Sequence, residues 1–175
     1  MIDLTNPRTG NLAGFLACTG MMAFALYAQH VLGMEPCPLC VFSRVATITL
    51  GAVFLVAAIH GARGRIGKGV YLVLVALAAA VGVGISARHV WLQSLPKDQV
   101  PACGPDLGFM LETFPLAEVL STVLSGSGEC AEVSWRLFGL TMPAWALVAF
   151  AVLGVWGIWV NWPTRDASRS TASSP

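Results

Sequence analysis

Glu35-Pro36-Cys37-Pro38-Leu39-Cys40-Val41-Phe42-Ser43-Arg44 places a dithiol pair at the mouth of an apolar segment, with an arginine one helical turn further in. A Cys-x-x-Cys pair can close a small disulfide. Its sulfurs become reactive when one lies at a helix N-terminus or beside a cation. Pro36 and Pro38 pre-set an entry turn, and the apolar run from Leu39 to Ile59 predicts a helix with Cys40 in its first turn. The helix dipole at that position favours a thiolate. Arg44 is four residues after Cys40, on the same face, about 6 Å along the axis. Its guanidinium is therefore expected to face whatever chemistry Cys40 performs. A zinc site is the other common use of such a pair, but no second Cys-x-x-Cys or His pair follows in the chain, so no metal is expected.

The surroundings of this stretch are those of a membrane protein. The chain has 175 residues, of which 56% are apolar and only 11% charged. Mean hydropathy is +0.73, well outside the soluble range. Four stretches are long enough to cross a hydrocarbon core of about 30 Å. They run from about 12 to 32, 39 to 59, 70 to 87 and 142 to 160. The expected architecture is an all-α membrane protein: an antiparallel bundle of four transmembrane helices forming one domain over residues 1–162. Residues 163–175 then form a Ser/Thr/Arg tail expected to be disordered. Little chain remains for a nucleotide-binding domain. A net charge of +1 without a basic run argues against a nucleic-acid partner.

Basic residues orient the spans. Arg8 precedes the first, Arg63, Arg65 and Lys68 lie between the second and third, and Arg165 and Arg169 follow the fourth. All fall on one side, which the positive-inside rule makes cytoplasmic along with both termini. The opposite side receives the Cys37–Cys40 turn and a loop over residues 88–141. Cys103 and Cys130 are in that loop, on the side where disulfides persist. Cys18, mid-way along the first span, is read as a buried small apolar side chain.

The long loop is too rich in Gly, Pro and acid to be a plain connector. Within it, Leu116, Val119, Leu120, Val123 and Leu124 share one helical face, which predicts a short helix packed on the bundle or lying in the interface. The third span emerges as Arg88-His89-Val90-Trp91, so His89 is expected at the same interface as Arg44 and Cys40, with Gln29 nearby at the end of the first span.

These positions permit a relay by thiol–disulfide exchange between Cys37–Cys40 in a fixed turn and Cys103–Cys130 in a mobile loop. Electrons leaving Cys37–Cys40 need an acceptor, and the chain contains no haem-attachment or flavin fingerprint. A membrane quinone is the simplest two-electron acceptor. Arg44 can then stabilise the Cys40 thiolate and hydrogen-bond a quinone carbonyl, with His89 and Gln29 lining the same pocket. Two other readings use the same residues. His30 and His89 could ligate one haem iron, or a Cys103–Cys130 bridge could merely stiffen a loop of a structural subunit.

Gln29-His30, Cys37-x-x-Cys40 with Arg44, Arg88-His89, Cys103, the run Ser127-Gly128-Glu129-Cys130-Ala131-Glu132 leading to Trp135, and Leu140-Thr141-Met142-Pro143 together resemble the bacterial disulfide bond formation protein B family. The resemblance covers roughly Ala25 to Trp162. It implies a multi-pass inner-membrane thiol oxidase that reoxidises a periplasmic DsbA-type dithiol oxidase and passes the electrons to ubiquinone or menaquinone. By the same resemblance, Cys103 forms the mixed disulfide with the partner, Cys130 resolves it, and Cys37–Cys40 reduces quinone beside Arg44 and His89. One departure is visible: Ser43 stands where members often carry an acid before the arginine.

Overall fold

The computed structural model describes residues 6–61, 64–96, 107–115, 118–119, 128–131 and 135–163. Among the described residues four long helices dominate: α1 (Pro7–His30), α2 (Pro38–His60), α3 (Arg65–Ser94) and α6 (Met142–Val160), with the short helices α4 (Leu107–Thr113) and α5 (Gly128–Ala131) between α3 and α6. The four long helices are each long and apolar enough to cross a membrane. Just ahead of α6, β1 (Arg136–Leu137) and β2 (Leu140–Thr141) pair antiparallel, Arg136 opposite Thr141. Phe138 and Gly139 turn the ribbon with positive φ of 52° and 81°.

Helix ends follow from local chemistry. The Asn6 side chain accepts a hydrogen bond from the Arg8 amide at 3.2 Å, capping α1 ahead of Pro7. Gly61 closes α2 in the left-handed conformation, φ 56°, its N–H bonded to the Ala57 carbonyl. Pro38 and Pro143 each occupy a first turn, where a missing N–H costs nothing.

The helices run further than the apolar stretches predict. α1 begins at residue 7 rather than 12, and α3 spans 65–94 rather than 70–87. The difference is physical: hydropathy marks where lipid is, whereas helix continues while caps and intrahelical bonds satisfy the backbone. A helix of 30 residues measures about 45 Å, well beyond a hydrocarbon core of about 30 Å. The last two turns of α3 therefore carry His89 beyond the apolar stretch as helix, not loop.

α1 packs on α2, α2 on α3, α3 on α6, and α6 meets α1. Leu50, Phe54, Val75, Ala79, Phe150 and Leu153 form the central core, with Cys18 buried among them as expected. In lipid such packing rests on close contact more than on the hydrophobic effect, and small residues permit it. Gly82 of α3 receives the Phe150 ring of α6 where any Cβ would collide. Leu16, Ile48, Leu77, Val81, Val152 and Val155 face outward, as lipid-facing positions do.

A polar clasp joins α1 to α6 at the end opposite Cys37. Asn11 Nδ2 donates to Asn161 Oδ1 at 3.1 Å, Asn161 Nδ2 donates to Asn11 Oδ1 at 3.0 Å, and both side chains are buried. Trp156 Nε1 donates to the Gly10 carbonyl beside it.

A second apolar cluster sits over the Cys37 end, made of Leu39, Leu92, Met110, Val119 and Cys130. The helix at 107–113 was not anticipated from the sequence. Of the helix anticipated around 116–124, Glu118 and Val119 are helical, with Val119 buried. Its other residues lie outside the described ones.

Candidate functional site

The chain leaves α1 through Gly33, whose φ of +65° reverses its direction with no side chain to obstruct the turn. It then enters α2 through Pro36-Cys37-Pro38. Cys37 is the N-cap in extended conformation, φ −65° and ψ 163°, so Cys40 is the third helical residue, as anticipated. Cys37 Sγ and Cys40 Sγ are 3.2 Å apart as two thiols.

A third sulfur joins them. Cys130, expected in a mobile loop, is fully buried, and α5 packs against α3 so that its thiol hydrogen-bonds Cys37. His89 Nε2 approaches Cys37 Sγ at 3.7 Å, and the ring is also hydrogen-bonded to the Cys130 backbone. Cys37, His89 and Cys130 place one ligand-type atom each within 4.8 Å of one another. Cys130 is buried within the loop region because Leu39, Leu92, Met110 and Val119 pack around it.

At Cys37 the hydrogen bond from Cys130 favours the thiolate. The bond with Cys40, burial, and the negative charge of a Cys40 thiolate outweigh it, and the Cys37 thiol is pushed up to about 12. Negative charge in the Cys37–Cys40 pair is therefore kept off Cys37.

Arg44 lies on the same α2 face as Cys40, half-buried. Its Nη1 donates to Gln29 Oε1 and its Nη2 to the Ala25 carbonyl at 3.1 Å, both on α1. Five N–H groups are available on a guanidinium, so these two bonds orient the plane and leave donors for another acceptor. Gln29 was expected to line a pocket. It acts instead behind Arg44, as an anchor from the neighbouring helix.

Arg44, Cys37, Cys40 and His89 all line one cavity of about 510 Å³ between α1, α2, α3 and the start of α6. Such a volume suits a drug-sized or cofactor-sized molecule. Its walls are largely apolar, including Met21, Phe24, Trp135, Leu137, Met142 and Trp145. Two further polar groups face it from α3. Ser86 Oγ and Gln93 Oε1 are buried without a hydrogen-bond partner among the described residues. A buried polar atom left unpaired is costly, so the Ser86 hydroxyl suits a guest with an acceptor oxygen, and Gln93 Oε1 suits a guest bearing a hydroxyl, such as a reduced quinone. A quinone fits this donor set: a flat apolar body for the walls, and ring oxygens for Arg44 and the Ser86 hydroxyl.

The sequence-predicted residues Cys37, Cys40, Cys130, Arg44, His89 and Gln29 thus converge on one end of the bundle. Cys103 lies outside the described residues. Ser86 and Gln93 were missed. The available signal was their spacing, three residues before and four after His89, which puts three polar side chains on one face of an apolar helix.

A family model described as "Disulfide bond formation protein DsbB" matches residues 7–160. A protein of Nitrosococcus oceani named "Disulfide bond formation protein B" is 57% identical over 146 residues, covering 83% of this chain and 86% of the relative. Similarly named proteins of Xanthomonas campestris and Chromobacterium violaceum are 50% and 52% identical over 162 and 159 residues, covering 93% and 91% of this chain and 94% and 95% of theirs.

Proposed function

Because the chain belongs to the disulfide bond formation protein B family, a family of disulfide-forming membrane proteins, we propose that it is a quinone-dependent thiol oxidase that reoxidises a periplasmic DsbA-type dithiol protein. The observation that carries this reading is a continuous sulfur path. Cys130 is buried against Cys37, and Cys37 and Cys40 open onto an apolar cavity edged by Arg44.

In this proposal the partner's thiolate attacks Cys103 of a Cys103–Cys130 disulfide, freeing Cys130 as a thiolate. The partner's second thiol, rather than Cys130 as the resemblance implies, then resolves the mixed disulfide at Cys103, because resolution by Cys130 would return the partner reduced; two electrons have now entered the chain. Cys130 attacks Cys37 of the Cys37–Cys40 disulfide, and Cys40 departs as a thiolate in the first turn of α2. Attack at Cys37 suits the sulfur on which charge is disfavoured, and departure from Cys40 puts the charge where the helix dipole and Arg44 support it. The Cys103 thiol then attacks Cys130, which restores the loop disulfide and releases Cys37 as a thiol. A bound quinone supplies a two-electron, two-proton acceptor. Re-forming the Cys37–Cys40 disulfide would release two electrons and two protons, which such an acceptor would take. Arg44, held by Gln29 and Ala25, offers its remaining N–H groups to the oxygen that becomes negative. The walls around Phe24, Trp135 and Met142 exclude water and orient the ring.

The protein would sit in the bacterial inner membrane with both termini cytoplasmic and the cysteines periplasmic. The grouping of Arg8, Arg65 and Lys68 at the end opposite Cys37 supports this orientation. The test is quinone reduction by the purified protein supplied with a reduced DsbA-type protein, with and without Cys37→Ser. Turnover by the wild type that vanishes in the variant is expected. A wild type inactive beside working quinone and partner controls would leave only a structural role for the disulfides.

A further inference from the structure

The sequence disfavours a metal at Cys37 and Cys40 because no second ligand pair follows them, yet the fold assembles one from elsewhere. Cys37 from the start of α2, His89 from α3 and Cys130 from α5 present two sulfurs and one imidazole nitrogen within 4.8 Å of one another. A tetrahedral zinc ion with Zn–S of about 2.3 Å and Zn–N of about 2.0 Å separates its ligand atoms by about 3.5–3.8 Å. The 3.7 Å between Cys37 Sγ and His89 Nε2 already matches that spacing.

We propose that the fully reduced enzyme holds a thiophilic divalent cation of the zinc class on Cys37, His89 and Cys130, and that this cation stalls the relay. The donor set is that of zinc: thiolate and neutral imidazole, with no carboxylate to favour magnesium or calcium. Binding transfers no electrons. Two thiols lose their protons to solvent and two sulfur–metal bonds form. The burial and neighbouring sulfur that retain the Cys37 proton are countered by the cation's charge. The site exists only while Cys37 and Cys130 are both thiols. A disulfide at either residue removes a ligand, so capture competes with oxidation. With the metal bound, Cys37 can no longer re-form its bond to Cys40.

The test uses the full-length protein in detergent, reduced with a phosphine and kept free of quinone, with Co²⁺ as the spectroscopic probe and Zn²⁺ as competitor. Reduced wild type should take up one Co²⁺ with a thiolate-to-metal absorption band, and Zn²⁺ should displace it. Mg²⁺ should not. Protein oxidised beforehand should show no band, a comparison that requires no variant. Cys130→Ser and His89→Ala should each weaken binding at least tenfold, whereas Cys18→Ala, in the packed core, should not alter it. Zn²⁺ should also lower steady-state quinone reduction, with recovery on adding a chelator. The proposal is overturned by the absence of a band in reduced wild type or by a band in oxidised protein. It is equally overturned by unchanged affinity in both Cys130→Ser and His89→Ala, which would make the metal a ligand of Cys37 and Cys40 alone.

Discussion

Replacing Arg44 by methionine separates the two halves of the proposed reaction. The side chain keeps its length and apolar stem but loses the charge and all five donors. Two of those donors hold Gln29 and the Ala25 carbonyl, and the others are free for an acceptor in the cavity. A preorganised donor aimed at a developing oxyanion contributes about 2.7–4 kcal/mol, or 10²–10³ in rate. The half-buried position of Arg44 between two helices keeps it near that range rather than near the much smaller value of an exposed charge. We therefore expect Arg44→Met to lower kcat/KM for a soluble quinone analogue by about 10²–10³. Formation of the mixed disulfide between reduced Cys103 and the oxidised partner, measured in a Cys130→Ser background, should change by less than about threefold, because the guanidinium takes no part in that exchange. Gln29→Ala removes one anchor and leaves the charge. It should cost about tenfold, the weight of one buried hydrogen bond to a charged group. The assay is steady-state quinone reduction with reduced partner, followed by the change in quinone absorbance. If Arg44→Met lost quinone reduction and partner reaction by the same factor, or lost neither, the assignment of Arg44 to the acceptor side would be wrong.

Other outcomes follow from the same geometry. Cys130→Ser, its Cys103 reduced and mixed with the oxidised partner, should accumulate a covalent adduct through Cys103, visible on a non-reducing gel, because no Cys130 thiol remains to displace the partner; if Cys103→Ser trapped the partner instead, the two roles would be exchanged. Ser86→Ala should raise the quinone KM about fivefold to tenfold, the worth of one hydrogen bond of about 1–1.5 kcal/mol, with little change in thermal stability; an unchanged KM would mean that the hydroxyl contacts no quinone. Gly82→Leu should drive a side chain into the Phe150 ring and cost about 1–3 kcal/mol or more of bundle stability, read as a lower unfolding temperature in detergent. Asn11→Ala removes both interhelical amide bonds to Asn161, each worth about 0.6 kcal/mol in membrane proteins, and should destabilise by about 1–2 kcal/mol without altering quinone KM.

The sequence by itself determined whatever depends on a single segment. Four apolar stretches make four spanning helices because lipid leaves the backbone no other partners. Pro38 and the run after it place Cys40 in a first helical turn. A spacing of four residues puts Arg44 beneath Cys40 whatever else the chain does. Gln29-His30, Cys37-x-x-Cys40 with Arg44, Arg88-His89 and the run around Cys130 together resemble one family as residues alone. Tertiary structure decided how separate segments meet. Cys130 lies 93 positions after Cys37, and no local periodicity places it there; it arrives because α5 docks on α3 under Leu92, Met110 and Val119. His89 reaches Cys37 because α3 continues as helix past its apolar stretch, and Gln29 turns from wall to anchor because α1 and α2 pack closely enough for Arg44 to reach it. The unpaired Ser86 hydroxyl is visible only once every neighbour is in place. Helix periodicity is a local property of the backbone and is written in consecutive residues. Convergence of distant residues depends on packing, here on fits such as Phe150 into Gly82, which emerge only when the helices are assembled.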